Sequence, residues 1–158
     1  MGHTDTIRRR EIQVSATTTK WQDRLGAEGA FQLLFAMFVA HELDAVAQRE
    51  WRLLYVLRAM PETLAQDVFV LIHVPLLVLL VWLGWHPRLA VREWSRLAMA
   101  AFMVVHAGLH WRLSESPLYT FHSPTSVFLI FGSVVPATIL LWRSLRRRQG
   151  PSQDGAAR

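Results

Sequence analysis

The sequence predicts an all-α fold, an integral membrane four-helix bundle with both termini in the cytoplasm. Of the 158 residues, 52% are hydrophobic and only 18% are charged, which is low for a soluble domain. Four apolar segments each provide about the 20 residues that a helix needs to cross the hydrocarbon core of a bilayer. They lie at residues 27–47, 67–85, 95–112 and 126–143.

One membrane domain is therefore expected at residues 27–145. It would lie between a cytoplasmic N-terminal tail at 1–26 and a disordered, basic C-terminal tail at 146–158. The first apolar segment follows a long polar stretch and lacks a small-residue cleavage site, so it is not expected to be a signal peptide. The absence of cysteine excludes disulfides, thiolate metal sites and covalent haem attachment. Any metal must be held by imidazole, carboxylate or water.

The placement of lysine and arginine predicts how the bundle sits in the membrane. Most of the 17 basic residues lie in the N-terminal tail, in the loop after the second segment and in the C-terminal tail. These parts share one side, which the positive-inside rule places in the cytoplasm. We therefore expect a multi-pass protein of a bacterial inner membrane, with the lipid bilayer as its partner. Membrane topology accounts for the net charge of +5, so no nucleic-acid partner is expected.

The loop between the first two segments has a composition of its own. Residues 49–60 mix charged and apolar side chains and end at Pro61. This pattern predicts an extension of the first helix that bends into the membrane interface as an amphipathic cover. Within it, Glu50 and Arg52 are expected to brace the interface beside Trp51.

Histidines and acidic residues gather at one end of the predicted bundle. Because the chain direction alternates, the ends of the first and third segments share a side with the starts of the second and fourth. Ionisable groups at membrane depth are costly and are usually functional. This end, which the orientation rule places outside the cytoplasm, is therefore the expected site. Its residues are His41, Glu42 and Asp44 late in the first segment, His73 early in the second, and His106 and His110 late in the third.

Helical geometry supports a shared site. At 100° per residue, the polar groups that follow His41 fall within an arc of about 160°, which should face the bundle interior. His106 and His110 are four residues apart and so lie on one face, a spacing that lets two imidazoles bind one metal. Pro75 removes a backbone donor and predicts a kink in the second helix near His73.

Some of these polar residues also have a plain structural explanation. Asp44 and Gln48 are four residues apart and can form an intrahelical pair. His122 precedes the fourth segment and is expected at the interface, although it lies close enough to join the site. The joint placement of four histidines from three segments is what favours function over packing.

Four short runs carry a resemblance to a known family. They are H-E-L-D-A at 41–45, E-W-R at 50–52, H-x-P at 73–75 and H-A-G-L-H at 106–110. Together they resemble the pattern of a small bacterial family of four-helix membrane proteins known as a domain of unknown function. The resemblance covers about residues 29–143. It implies the four-span architecture and no particular activity.

The leading hypothesis for function is a metal-dependent membrane enzyme. His41, His73, His106 and His110 would bind one or two divalent metal ions, with zinc favoured and iron or copper possible. Either Glu42 or Asp44 would be a ligand or the general base. Hydrolysis is favoured over redox chemistry, and the substrate would be a lipid or a lipophilic small molecule.

Two other functions stay open. A b-type cytochrome could hold haem b between two histidines on facing helices, such as His73 and His106. A non-enzymatic proton relay or accessory subunit would use the same polar groups without a metal. In that case a homo-oligomer could supply the missing part of a path, because the second segment has nothing polar beyond His73.

Overall fold

The computed structural model describes residues 26–149, a bundle of antiparallel helices with no β-strand within that range. The predicted tails fall almost entirely outside the described residues. We call the end where α1 and α3 finish the histidine end, and the opposite end the tail end. The helices are α1 (Gly26–Ala47), α2 (Glu62–Gly84), α3 (Leu89–Leu113), α4 (Pro124–Gly132) and α5 (Val134–Gln149).

The helices confirm the predicted all-α class and the four-helix order, with α4 and α5 acting as one unit. Three helices are long and apolar enough to cross a membrane: α1, α2 and the continuous stretch Pro124–Arg146. By the same measure α3 falls short, because two histidines and several arginines lower its mean hydropathy. Its crossing therefore stays a prediction.

Two helices begin earlier than hydropathy predicts. α2 starts at Glu62, directly after Pro61, rather than at 67, and α3 starts at Leu89 rather than at 95. The first turns of both helices carry charged residues, which a helix tolerates near a membrane surface but which lower the hydropathy of the segment. As a consequence, His73 lies at the middle of α2 and not early in it. α2 passes Pro75 as a continuous helix.

The fourth span is interrupted between α4 and α5. Pro136 has no amide hydrogen, so the carbonyl of Gly132 loses its helical partner. At the same break, the hydroxyl of the buried Ser133 donates to the carbonyl of Ile130 at 2.7 Å, a local side-chain hydrogen bond of the kind that bends helices. The helix direction continues beyond the break.

Two buried clusters form the core. The cluster toward the tail end joins α1, α3 and α5, and the cluster toward the histidine end joins all helices except α5 with the two loops at that end. The first contains Phe31, Leu34, Phe38, Met99, Ala100, Met103, Ala137 and Leu140. The second contains Ala45, Trp51, Ala65, Phe69, Ala107, Tyr119, Phe121 and Ile130.

α2 lies at the periphery of the bundle, where Leu77 and Leu80 in its middle pack against the core cluster and its two ends make further close contacts. Near the histidine end, Phe69 packs on Trp51 with the ring centroids 5.7 Å apart. At the tail end, Gly84 lies so close to Phe31 that a Cβ atom there would lie 2.7 Å from its ring. Among the residues of α2 only three are buried, namely Ala65, Phe69 and Gly84.

An arginine fastens the tail end. The guanidinium of Arg96 in α3 donates through Nη1 and Nη2 to the carboxylate of Glu28 in α1, and through Nε to the carbonyl of Gly84 at 2.9 Å. The same group lies 4.3 Å from the ring centroid of Phe31. Arg96 thus ties α1, α2 and α3 together, using the fork geometry that a lysine cannot reproduce.

The loop after α1 is not the helical extension that the sequence predicts. α1 ends at Ala47, and two single turns of 3₁₀ helix follow, at Glu50–Arg52 and Leu57–Ala59. The reason is a reversal of the chain at Arg49, whose backbone adopts the left-handed conformation. That reversal buries Trp51 in the core rather than placing it at the interface.

Candidate metal centre

Three imidazoles converge at the histidine end. Nε2 of His106 lies 2.8 Å from Nε2 of His41 and 3.1 Å from Nε2 of His110. His41 comes from α1, and the other two are one turn apart on α3. His41 and His110 are buried, at 0% and 2% exposure, and His106 is half-buried. The rings meet nearly edge-on, at 67° and 70°, so that their nitrogens face one point.

A carboxylate from the loop after α1 completes the group. Oε2 of Glu50 lies 3.7 Å from Nε2 of His41, and Oε1 lies 3.7 Å from Nε2 of His110. One ligand atom from each of these four residues lies within 4.8 Å of every other. His41, Glu50, His106 and His110 can therefore hold a metal ion.

The backbone at Arg49 places Glu50 in the group. Arg49 has φ 56° and ψ 47°, a left-handed conformation found at no other non-glycine residue within 26–149. This conformation turns the chain back over the end of α1. The hydroxyl of Thr120 donates to the carbonyl of Gln48, which fastens the turn to the loop after α3. The buried Trp51 anchors the other side.

Hydrogen bonding among the imidazoles alone cannot satisfy this arrangement. Each ring nitrogen carries either one proton or one lone pair. Nε2 of His106 therefore cannot form well-directed hydrogen bonds with both of its neighbours at once. A cation accepts a lone pair from all three. Zinc bonds to nitrogen at about 2.0–2.1 Å, so a tetrahedral site separates the nitrogens by about 3.3 Å, close to the spacing seen here.

Aromatic side chains orient the three rings. Phe121 meets His110 edge-on at 4.7 Å between centroids, and Phe102 stacks on His106 at 5.3 Å. Nδ1 of His110 lies 3.3 Å from the hydroxyl of Tyr119. A partner at the second nitrogen is typical of an imidazole that binds metal, since it fixes the tautomer and the orientation of the ring.

Two loop residues at this end, Tyr119 and Glu50, have shifted pKa values. Burial and the charge of Glu50 raise the pKa of the Tyr119 phenol, which keeps it protonated and able to partner His110. Burial favours the neutral form of the Glu50 carboxyl, but the neighbouring imidazoles of His110, His41 and His106 outweigh it and lower its pKa. Glu50 is therefore ionised, as a metal ligand must be.

The remaining predicted histidine forms a separate pair. Nδ1 of His73 donates to the carbonyl of Phe69, and Nε2 lies 2.6 Å from Oε2 of Glu42. Because a carbonyl only accepts, Nδ1 carries a proton, and the short contact between Nε2 and Glu42 shares another. The structure thus places His73 with Glu42 rather than with the other three imidazoles.

Both groups face one cavity. It has a volume of about 1080 Å³ and lies between α2 and α3, with part of α1 and the loop after it as further walls. The polar lining includes Glu42 and His73 from the pair, together with Glu50, His106 and His110 from the metal group. A metal held by the group would lie in the wall of the cavity, with His41 behind it.

Two predicted candidates lie away from this cavity. Asp44 accepts a 3.4 Å hydrogen bond from Gln48, the intrahelical pair noted as its structural alternative, and its Oδ2 is buried without a hydrogen-bond partner among the described residues. His122 is exposed, and its Nε2 lies 3.1 Å from the carbonyl of Tyr119 within its own loop.

Sequence reasoning misses Glu50 as a possible ligand and Tyr119 as the partner of His110. A signal for Glu50 is present in the E-W-R run at 50–52, where a carboxylate precedes a tryptophan at the end of a histidine-bearing helix. The expected bracing of the interface is instead provided by Arg52, whose Nη2 lies 2.9 Å from the carboxylate of Glu62. Tyr119 offers no such signal.

Residues 28–147 match DUF6713, a family of unknown function. The chain belongs to this family. The match confirms the resemblance to an uncharacterised domain family, which was expected over about residues 29–143. No curated protein and no solved structure gives a significant match.

The conformation of Arg49 yields a stability prediction. A left-handed backbone costs a non-glycine residue about 1–2 kcal/mol, so Arg49→Gly should raise the free energy of unfolding by about 1 kcal/mol and leave metal affinity unchanged. Arg49→Val should lower both the free energy of unfolding and the affinity for metal, because a β-branched residue resists the left-handed conformation and its strain would displace Glu50. Thermal unfolding in detergent and metal titration measure the two effects. Arg58→Val, at an exposed position with no left-handed backbone, is the control. Equal behaviour of Arg49→Val and the control would contradict this role of Arg49.

Proposed function

We propose that this protein is a multi-pass membrane metalloenzyme in which His41, Glu50, His106 and His110 bind one divalent metal ion. Its activity would be hydrolysis of a lipid or a lipophilic small molecule. The convergence of three Nε2 atoms, of which the central one lies 2.8 and 3.1 Å from the others, is the observation that carries this proposal. Glu50 takes the place in the ligand set that the sequence assigns to His73.

The donor set favours zinc. Three imidazoles and one carboxylate are ligands that zinc accepts readily, and iron and copper also bind imidazole. Glu50 lies 3.7 Å from His41 and from His110, farther than His106 lies from either, which suits a carboxylate that can yield its place to water or substrate. Bound zinc polarises a carbonyl and lowers the pKa of a bound water to about 7.

The Glu42–His73 pair supplies acid–base catalysis in this proposal. Glu42 faces the same cavity as the metal group, and its contact with His73 fixes the direction of the carboxylate. As general base it accepts a proton from the attacking water, and as general acid it returns a proton to the leaving group. Asp44, the other predicted carboxylate, does not line the cavity and is given no catalytic role.

The geometry gives less support to the two alternatives. A haem ligand needs a free ring nitrogen, whereas both nitrogens of His73 are engaged and Nε2 of His106 contacts two other imidazoles. A proton relay could use the Glu42–His73 pair, but α2 carries no ionisable residue between His73 and Gly84. The polar lining is thus concentrated at the histidine end.

We also propose that all four helical units cross a bacterial inner membrane, with the histidine end outside and both termini in the cytoplasm. The concentration of arginine near the tail end supports this orientation. Because the chain has no cysteine, single cysteines report sidedness cleanly. A membrane-impermeant maleimide should label Glu115→Cys in intact cells and label Arg88→Cys only after lysis. The reverse pattern would contradict the orientation.

The metal group predicts a specific metal content. Elemental analysis of protein purified in detergent without chelator should find about one ion per chain. His110→Ala should lose it, because its removal leaves two imidazoles and Glu50. His73→Ala and His122→Ala should keep it. Metal loss in His73→Ala equal to that in His110→Ala, or no metal in the wild type, would overturn the assigned ligand set.

The proposed base predicts a separation of metal binding from activity. The zinc-loaded protein should hydrolyse p-nitrophenyl dodecanoate, an ester with a long apolar chain. Glu42→Gln should retain the metal and lose about 10²–10⁴-fold in rate, the range for a general base. Asp44→Asn should keep both metal and rate. A Glu42→Gln rate close to that of the wild type would exclude Glu42 as the base.

A further inference from the structure

The cavity follows α2 from Val68 to Gly84, and its part between His73 and Gly84 has the length of one lipid chain. Gly84 lies eleven residues beyond His73 in α2, which corresponds to about 16 Å at 1.5 Å per residue. The hydrocarbon core of a bilayer is about 30 Å thick, so one leaflet spans about 15 Å. The length of one acyl chain therefore matches the distance between His73 and Gly84.

The lining changes from polar to apolar along that length. Beyond the pair formed by Glu42 and His73, the walls are aliphatic and aromatic as far as Ser95 near the tail end. Water in such a space would lack hydrogen-bond partners, whereas a hydrocarbon chain needs none. The apolar walls include Phe38, Leu76, Leu80, Leu83, Met99 and Phe102.

The cavity is accessible from the side of the bundle. Only 11% of the apolar stretch of α2 is buried, compared with 33% in α1 and 39% in the span made by α4 and α5. Between Phe69 and Gly84, α2 contacts the bundle through His73, Leu77 and Leu80. Ile72 of α2 and Phe102 and Leu109 of α3 line the cavity and are also exposed on the outside of the bundle. In a membrane the gap between the two helices opens to lipid, so an occupant can enter without leaving the bilayer.

The polar end indicates what head group is bound. Among the described residues that line the cavity there are carboxylates and imidazoles but no lysine or arginine. A phosphate would lack the cationic side chains that usually bind it. An uncharged head group can place its carbonyl oxygen at the metal and its hydroxyl groups against Glu42 and Glu50.

We propose that the cavity binds one hydrocarbon chain of a membrane lipid with an uncharged head group, and that it presents the ester or amide linkage of that lipid to the metal group. The substrate role rests on the proposed function, whereas binding of the chain rests on the cavity alone. In hydrolysis, the bond between the acyl carbon and the leaving oxygen or nitrogen breaks. The oxygen of water joins the acyl carbon, and a proton joins the leaving group.

Photocrosslinking in vesicles tests binding of the chain. The probe is a monoacylglycerol with a 16-carbon chain and a mid-chain diazirine, added to full-length protein in phosphatidylcholine vesicles. Mass spectrometry should locate most labelling at Met99, which lines the cavity and is buried from bulk lipid at 6% exposure. Val78, exposed on the opposite side of α2, should be labelled several-fold less.

A matched pair of variants tests whether the labelling comes from a probe bound inside the cavity. Leu80→Trp fills the space and should reduce labelling of Met99 at least fivefold, whereas Leu79→Trp, one residue earlier and outside the lining, should not. If Leu80→Trp does not fold, Leu80→Phe provides a smaller obstruction. Metal content should be the same in both variants and the wild type. Equal metal content would show that a drop in labelling comes from blocked binding of the hydrocarbon chain and not from damage to the metal group.

Three outcomes would overturn the proposal. Labelling that favours Val78 over Met99 would show that the chain stays in bulk lipid. Labelling of Met99 that appears only when the protein is diluted to the monomer would show that a second copy of the chain covers the cavity. Equal competition by the phosphate monoester of the same chain length would refute the uncharged head group. Normal labelling of Met99 in the metal-free His110→Ala variant would support chain binding in the cavity, even if the protein proved not to hydrolyse the lipid.

Discussion

An imidazole nitrogen offers either one proton or one lone pair, and this limit governs the histidine end of the bundle. Nε2 of His106 lies between the corresponding atoms of His41 and His110, where hydrogen bonds cannot satisfy all three. A divalent ion would remove the conflict by accepting a lone pair from each. Glu50 would then supply the opposing charge, and the rings of Phe102 and Phe121 pack against the imidazoles of His106 and His110.

The second organising feature is the way α2 joins the rest of the molecule. α1, α3 and α5 share a continuous apolar core, and the partly buried Leu77 and Leu80 of α2 pack against it from outside. At the tail end a glycine allows the closest approach, and Arg96 binds the carbonyl of that same residue, Gly84. At the histidine end the ring of Phe69 packs on Trp51, and its backbone carbonyl accepts a hydrogen bond from His73. A helix fixed in this manner encloses space rather than filling it.

Local patterns in the sequence are sufficient to predict much of this architecture. The first helix is predicted at 27–47 and found at Gly26–Ala47, and helical spacing correctly brings His106 and His110 to one face. Hydropathy places the starts of α2 and α3 too late because their first turns are charged. That shift moves His73 by about one and a half turns. Its pairing with Glu42 rather than with the other imidazoles is a tertiary contact that local periodicity does not describe.

Glu50 illustrates a different limit. Its position depends on the sign of φ at Arg49, a single backbone angle that no periodicity or hydropathy pattern expresses. Hydropathy and periodicity therefore predict the positions of side chains on long helices but not of side chains that reach a site through one tight turn. The E-W-R run marks the position but does not reveal the direction in which the chain turns.

In the proposed membrane setting, the bilayer would be a structural component of the site. Most side chains of α2 are exposed, so the spacing between α2 and α3 would be set in part by lateral pressure from the surrounding acyl chains. Membranes that are thicker, or more tightly ordered by their lipids, would change the tilt of this one helix more than that of its neighbours. Lipid composition would then tune the width of the gap, so that detergent micelles and native membranes present the same chain with different degrees of opening.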